Sequence, residues 1–353
     1  MLGVAAACAG RSGTPRIAYI GSDTTLASVV TDQTREQGET IHLLPVSAAQ
    51  RDNIGRGDAR DVASAEAAVQ APGVVVVVGH ASSRGSLLAA PIYGEAGMPF
   101  IAPTATSRRL HDAGSWTFQL APDDEAEGAF IAGFALDSLA APAITVFYLS
   151  ADEYGIGLRD GVARALKKRG RTLAEEVGIL EDSDFERRVA ASLRRRTPDA
   201  VVLASRTPEA VAVARAIRRR LPRVPLILAD GVDAGGFGRE MGAFAGPAWA
   251  VAWWLPGSAD PASRAFVGTF ERVAGRPPRQ QEAMYYDALM VAAQALREAG
   301  PHRDAIRRYL SELGVSRPPY QGITGPISFA ADRPTNLVML RAGDAPAPAG
   351  GGR

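Results

Sequence analysis

The unbroken valine run Val74-Val-Val-Val-Val78 constrains this chain more than any other stretch. It leaves no polar face, so it reads as a strand covered on both sides, as in a parallel sheet flanked by helices. The run stops at Gly79-His80, and Ala81-Ser82-Ser83-Arg84-Gly85-Ser86 leads into a helical pattern over Leu87–Tyr93. A second short strand, Met98–Ala102, stops at Pro103 and is followed by Thr104-Ala105-Thr106-Ser107. Strand, hydroxyl-rich loop and helix start thus occur twice in succession, as parallel βα units require. Helix N-termini leave backbone N–H groups unpaired, and Ser or Thr beside them adds O–H donors. Two such termini side by side, at the carboxyl ends of strands, make a cradle for a small anion such as a carboxylate. The plainer account of the same residues is N-capping, and both accounts stand at this point.

The alternation runs through most of the chain. Strands are expected at Arg16–Gly21, Thr40–Pro45, Val74–Val78, Met98–Ala102, Thr117–Ala121, Ile144–Leu149, Leu173–Ile179, Ala200–Ala204 and Pro225–Ala229. Between them lie helical patterns at Thr25–Glu36, Asp58–Gln70, Glu125–Leu139, Gly157–Arg169, Phe185–Arg196 and Pro208–Leu221. This predicts an α/β protein with two doubly wound parallel sheets. The last third differs: a strand-like Ala250–Leu255, helices at Ala262–Ala274, Gln281–Ala299 and Ala305–Leu313, and a strand pair, Gly325–Phe329 with Asn336–Leu340. The tail Asp344–Arg353, rich in Ala, Pro and Gly, is expected to be disordered.

A chain of 353 residues suits two cores of ordinary size. Its formal net charge of +1 gives no global electrostatic case for nucleic acid. The only cysteine is Cys8, within Met1-Leu-Gly-Val-Ala-Ala-Ala-Cys8-Ala-Gly. A lone thiol after small residues has the look of a bacterial lipoprotein signal, with Cys8 as the lipidated residue, although the leader lacks a basic start and is short. Contact with a membrane is expected only through such an anchor.

The quoted segments also resemble a known family. Gly79-His80-Ala81-Ser82-Ser83, Pro91-Ile-Tyr93, Gly97-Met-Pro99 and Ile101-Ala-Pro-Thr-Ala-Thr106 are similar to the ligand-binding stretch of the leucine/isoleucine/valine-binding proteins, receptors of ABC importers. Further along, Glu153-Tyr154-Gly155-x-Gly157-Leu158, Thr207-Pro208-Glu209, Asp230-Gly231, Phe270-Glu-x-x-x-Gly275-x-Pro-Pro278, Tyr286-Asp287-Ala288 and Gly325-Pro326-Ile-x-Phe329 continue the resemblance in order. It implies the type 1 periplasmic-binding-protein fold, two lobes joined by a three-crossover hinge near Gln119–Ala121, Ala250–Trp253 and Thr324–Phe329. The implied division is a leader over 1–14, one lobe from 15–119 with 252–325, the other from 120–251 with 326–343, and a tail over 344–353.

An amino-acid ligand needs donors for its carboxylate and acceptors for its ammonium. The hydroxyls of Ser83 and Thr106, with N–H groups of Thr104, Ala105 and Thr106, suit the first need. Asp230, just after a strand, suits the second. The resemblance assigns the same roles and adds Tyr154 as a wall from the second lobe. Asp-Gly is also a common turn pair, and an aromatic beside Gly155 can simply cover a turn. Arg206 and Thr207 end another strand, where the resemblance places specificity. An Arg there can pair with a second ligand carboxylate or lie in solvent. Ile20-Gly21-Ser22-Asp23-Thr24 lacks the Gly-Pro loop and the aromatic that the family places over its ligand, so no branched-chain specificity is implied.

Enzyme readings are weaker. Gly155-x-Gly157-x-x-x-Gly161 superficially resembles a dinucleotide loop, but Ala151-Asp-Glu-Tyr154 makes the turn too long for a pyrophosphate. There is no Gly-x-Ser-x-Gly elbow, no P-loop, and no metal-ligand spacing among His42, His80, His111 and His302. The arginines of the Phe185–Arg196 and Pro208–Leu221 helices fall outside their apolar stripes and read as solvated. The expected protein is therefore an extracellular receptor for a small polar solute, an amino acid or amide, delivered to an ABC permease, with no cofactor and no catalysis. The rival is an envelope lipoprotein of the same fold that has lost its ligand and regulates a protein partner.

Overall fold

The computed structural model describes residues 14–21, 24–36, 41–46, 57–180, 184–330, 333 and 335–342. Cys8, Ser22, Asp23 and the Asp344–Arg353 tail lie outside the described residues. The first half runs β1 (Arg16–Tyr19), α1 (Thr24–Glu36), β2 (Leu43–Pro45), α2 (Gly57–Gln70), β3 (Val74–Val78), α3 (Ser83–Glu95), β4 (Phe100–Ala102) and β5 (Thr117–Gln119). Then come α4 (Asp124–Gly133), β6 (Ile144–Leu149), α5 (Glu153–Lys168), β7 (Glu175–Ile179), α6 (Phe185–Arg195), β8 (Ala200–Ala204), α7 (Thr207–Arg218), β9 (Leu226–Leu228), α8 (Ala234–Met241) and β10 (Ala248–Ala252). The chain ends with α9 (Pro261–Ala274), α10 (Gln280–Ala299), α11 (Arg303–Glu312), β11 (Tyr320–Gly322), β12 (Gly325–Ile327) and β13 (Val338–Arg341).

Two sheets organise these elements. The first has the order β2-β1-β3-β4-β5 and is wholly parallel. The second has the order β13-β10-β9-β8-β6-β7. Both β3 and β8 are buried along their whole length because helices cover both sheet faces. Val76 and Val78 pack into one layer and Val77 into the other, as the strand period of two demands. Val201 and Leu203, against Val202 and Ala204, repeat this in β8. Each such valine or leucine contributes about 1.5–3 kcal/mol on burial.

The order of each sheet reverses once, between β1 and β3 and between β6 and β8. Loops that diverge at such a point leave a crevice at the carboxyl ends of the strands. Gly79, after β3, sits there with φ 151°, and a Cβ would lie 2.6 Å from Ile20. Only glycine lets the ends of β1 and β3 approach this closely.

Several expectations need correction. The second sheet is mixed: β13 runs antiparallel to β10. The last two strands are not a pair, because β12 forms a hairpin with β11 and β13 returns to the second sheet. A short run after the final crossing can close a sheet edge in either direction, which local pattern does not decide. Helix α8 was not anticipated, since Ala234-Gly-Gly-Phe-Gly is poor in helix formers. Asp233 caps it by accepting the Gly235 N–H at 3.1 Å, and Phe237 and Met241 bury its inner face. Helix α5 starts at Glu153 rather than Gly157, because Asp152 accepts the Tyr154 N–H and caps it earlier. Arg218 is buried rather than solvated: its guanidinium donates to the Val224, Ala245 and Pro247 carbonyls.

Candidate functional site

Each residue singled out in the sequence sits just beyond the carboxyl end of a strand. Ser83 follows β3, the Thr104–Thr106 loop follows β4, Tyr154 follows β6, Arg206 and Thr207 follow β8, and Asp230 follows β9. The two halves meet where α4 leaves the first beside the hydroxyl loop. The Asp124 N–H donates to the Thr106 carbonyl at 2.8 Å. Gln280, at the start of α10, donates from Nε2 to the Asp230 carbonyl at 2.8 Å and accepts the Trp253 N–H at 3.0 Å. Over the top, Glu153 of α5 receives the Ser107 hydroxyl at 3.2 Å and Arg109 Nη1 at 3.1 Å.

The hydroxyl side divides its labour. Ser82 caps α3 by accepting the Gly85 N–H, as the plainer account expects. Ser83 is buried, and its Oγ accepts the N–H groups of Thr106 and Ser107 at 3.1 and 3.2 Å. The Thr106 N–H is thus spent inside the protein, while the Ser83 proton stays free to donate. Thr104 donates its hydroxyl to the Ala81 carbonyl. The buried Thr106 hydroxyl has no well-formed hydrogen bond and faces Asp124.

The opposite side is acidic. Tyr154 donates its hydroxyl to Asp230 Oδ1 at 2.8 Å and accepts the Gly231 N–H at 3.0 Å. Glu127 Oε1 accepts the Asp230 N–H at 3.0 Å. The two carboxyl groups are neighbours, and each disfavours a charge on the other. Among the described residues, Glu127 Oε2 has no hydrogen-bond partner. Asp124, Glu127 and Asp230 are all buried, and among the described residues none of them forms an ion pair. Burial, reinforced by the neighbouring acids, pushes Asp124 up to about 8 and holds Glu127 well above the ordinary carboxylate range. Burial also raises Asp230, against the pull of its bonds from Glu127, Tyr154 and Gly231.

Arg206 turns to Asp152 as an ion pair at the rim. Thr207 Oγ1 accepts the Asp233 N–H at 2.9 Å. Among the described residues, no group of three or more His, Cys, Asp or Glu is arranged to hold a metal. Gly155 and Gly161 serve packing: a Cβ on either would strike backbone of β6 or α4. Gly157 clears room for the Asp124 carboxylate.

Asp124, Glu127 and Gln280 escaped the sequence reading. Asp123-Asp124-Glu125-Ala126-Glu127 has the look of acids favoured at any helix N-terminus. The signal present was the spacing: Asp124 and Glu127, three apart, share one helix face, and that face is the buried one.

A family model described as periplasmic binding protein matches residues 49–341. Among curated relatives, Leu/Ile/Val-binding protein homolog 1 of Brucella suis biovar 1 is 27% identical over 265 residues, covering 73% of this chain and 68% of the relative. An amino acid binding protein of Pseudomonas aeruginosa is 25% identical over 249 residues, covering 69% of this chain and 65% of the relative. Among solved structures, a leucine binding protein from Thermotoga maritima superposes with a TM-score of 0.80 at 21% identity, over 94% of this chain and 97% of that one. A branched-chain amino acid transporter substrate binding protein from Streptococcus pneumoniae, in complex with isoleucine, gives 0.78 at 19% identity, over 95% and 99%.

Proposed function

Because this chain belongs to the periplasmic binding protein family, we propose that it is an extracytoplasmic receptor that closes on a small amino-bearing solute, an amino acid or amide. The observation that carries this reading is the set of buried carboxylates, Asp124, Glu127 and Asp230, with no ion-pair partner among the described residues and with the Thr106 hydroxyl beside Asp124. A buried anion without a counter-ion is costly, so it takes up a proton or a cation. A ligand ammonium meets that need at Asp230 and Asp124. The ligand's carboxylate then takes the Ser83 and Thr106 hydroxyls, with the N–H groups of Thr104 and Ala105 beside them. Tyr154 fixes the rotamer of Asp230 and walls the site.

Binding favours the closed form, because only there do both ends of the ligand find partners. Ser107 and Arg109 on Glu153, and Gln280 on the Asp230 carbonyl, are contacts that closure makes. The two lobes would be residues 15–119 with 252–325 and 120–251 with 326–343. The closed receptor delivers its solute to an ABC permease, and lipidation of Cys8 anchors it at the membrane. No catalytic step is assigned to any residue. Among the described residues no helix is long and apolar enough to cross a membrane.

The test is thermal unfolding of residues 16–353 against a panel of amino acids and amides, with Asp230→Ala alongside. At about 1,000 times its dissociation constant, a ligand adds ~4 kcal/mol, a shift of several degrees. A shift with one compound, lost in the variant, supports the reading. No shift from a well-folded sample favours the rival, a ligand-free partner protein.

A further inference from the structure

A second site lies away from the acidic cleft. Beside the crossings from β5 to α4 and from β12 to β13, a cavity of about 360 Å³ is lined in part by Leu110, Phe118 and Phe329. That volume lies within the ~300–1,000 Å³ usual for small-molecule sites. The same cavity is lined by Arg307 and Arg333. Arg333 donates to the Gln119, Ala121 and Ser328 carbonyls, the last two at 2.6 and 3.1 Å. None of these acceptors carries a full charge. Burial lowers its pKa to about 10, and Asp123 partly offsets this. Arg307 lies over the Trp116 ring at 5.2 Å, and among the described residues no carboxylate is within ion-pair distance of it. Asp123, also on the lining, caps α4 by accepting the Ala126 N–H, and His111 stands 3.8 Å from it. Thr117 Oγ1, buried on the same lining, lacks a partner.

We propose that this cavity is a second binding site, for a small organic carboxylate whose apolar body lies against Leu110, Phe118 and Phe329. Its carboxylate is held by Arg307 and Arg333, with the Thr117 hydroxyl as a further donor. Guanidinium groups suit this task because their planar N–H forks match a carboxylate. Among the described residues the acids of the cleft have no ion-pair partner, so the cleft calls for an ammonium where this cavity calls for a carboxylate. They also touch: Gln119, on the cavity lining, donates from Nε2 to the Ala105 carbonyl at 2.8 Å, inside the hydroxyl loop.

The experiment is calorimetric titration of the full chain with benzoate, and with benzamide as its neutral counterpart. It is repeated on Arg307→Gln, chosen because Arg333 also ties the crossings together, and on Ser83→Ala as a cleft control. The proposal expects saturable benzoate binding, weakened about tenfold or more in Arg307→Gln, unchanged in Ser83→Ala, and absent with benzamide. It is overturned by no saturable binding at millimolar benzoate or by equal binding of benzamide. Binding that survives in Arg307→Gln but is lost in Ser83→Ala places benzoate in the cleft and also overturns it. None of these outcomes depends on whether the cleft takes an amino acid.

Discussion

The two walls of the cleft are built on opposite plans. On the hydroxyl wall the polar groups are neutral and largely paired within the protein: Ser83 accepts from Thr106 and Ser107, and Thr104 donates to Ala81. On the acidic wall Asp124, Glu127 and Asp230 are buried together, and the Tyr154 hydroxyl and the Asp230 N–H are the donors that reach them. The first wall carries no charge and keeps the Ser83 and Thr106 hydroxyl protons without an acceptor. The second is complete only when protons or a cation arrive. Most of the ligand's binding energy, and nearly all its pH dependence, should therefore reside on the acidic wall.

The largest effect is expected at Asp230. Truncating one member of a buried charge pair costs several kcal/mol, so Asp230→Ala should weaken an amino-bearing ligand about a hundredfold or more. Calorimetric titration checks this, after circular dichroism has established that the variant folds. A loss below about threefold would break the contrast between the walls.

Ser83→Ala should act on stability as well as binding. It strands the Thr106 and Ser107 N–H groups in the interior, at a cost of about 1–3 kcal/mol, which lowers the midpoint of thermal unfolding. Binding should fall by about tenfold, less than for Asp230.

The acidic wall also sets a pH dependence. Asp124, at about 8 when folded, lies above its ordinary value of 3.8, so the folded state holds its proton more tightly. That contribution to stability is fully present below about pH 4 and is lost as pH rises through about 8. Ligand affinity should run the other way, rising with pH over this range as ammonium displaces the proton. Asp124→Asn should flatten both profiles, as thermal unfolding and titration between pH 5 and pH 8, about the range of these shifts, would show.

Arg206→Ala should do least. Its pairing with Asp152 lies at the rim, with 43% of the arginine side chain exposed, and such pairs contribute about 0–1 kcal/mol. A large loss of binding there would mean that Arg206 leaves Asp152 for the ligand.

Much of the architecture was legible because burial writes itself into local pattern. The strands β3, β6 and β8 run over the expected residues, and their alternating loops put Ser83, Thr106, Tyr154 and Asp230 at strand ends. The resemblance to the leucine/isoleucine/valine-binding proteins is borne out by the family match. What escaped depends on partners far away in sequence. Glu127 reaches the Asp230 N–H across 103 positions, and its spacing from Asp124 marks a shared helix face without saying what covers it. Arg218 sits where helical spacing expects solvent, yet the carbonyls of Ala245 and Pro247 draw it inside. The direction of β13 was set by the edge of β10, which its own residues do not announce.

The most direct test of the account is a thermal-shift comparison between each amino acid of a panel and its des-amino analogue, the same acid lacking only the amine. The account predicts that an amino acid raises the unfolding midpoint by several degrees while its analogue leaves it unchanged, since the analogue cannot neutralise Asp230 and Asp124. Equal stabilisation by the two would contradict it, because the carboxylate on the hydroxyl wall would then be carrying the binding alone.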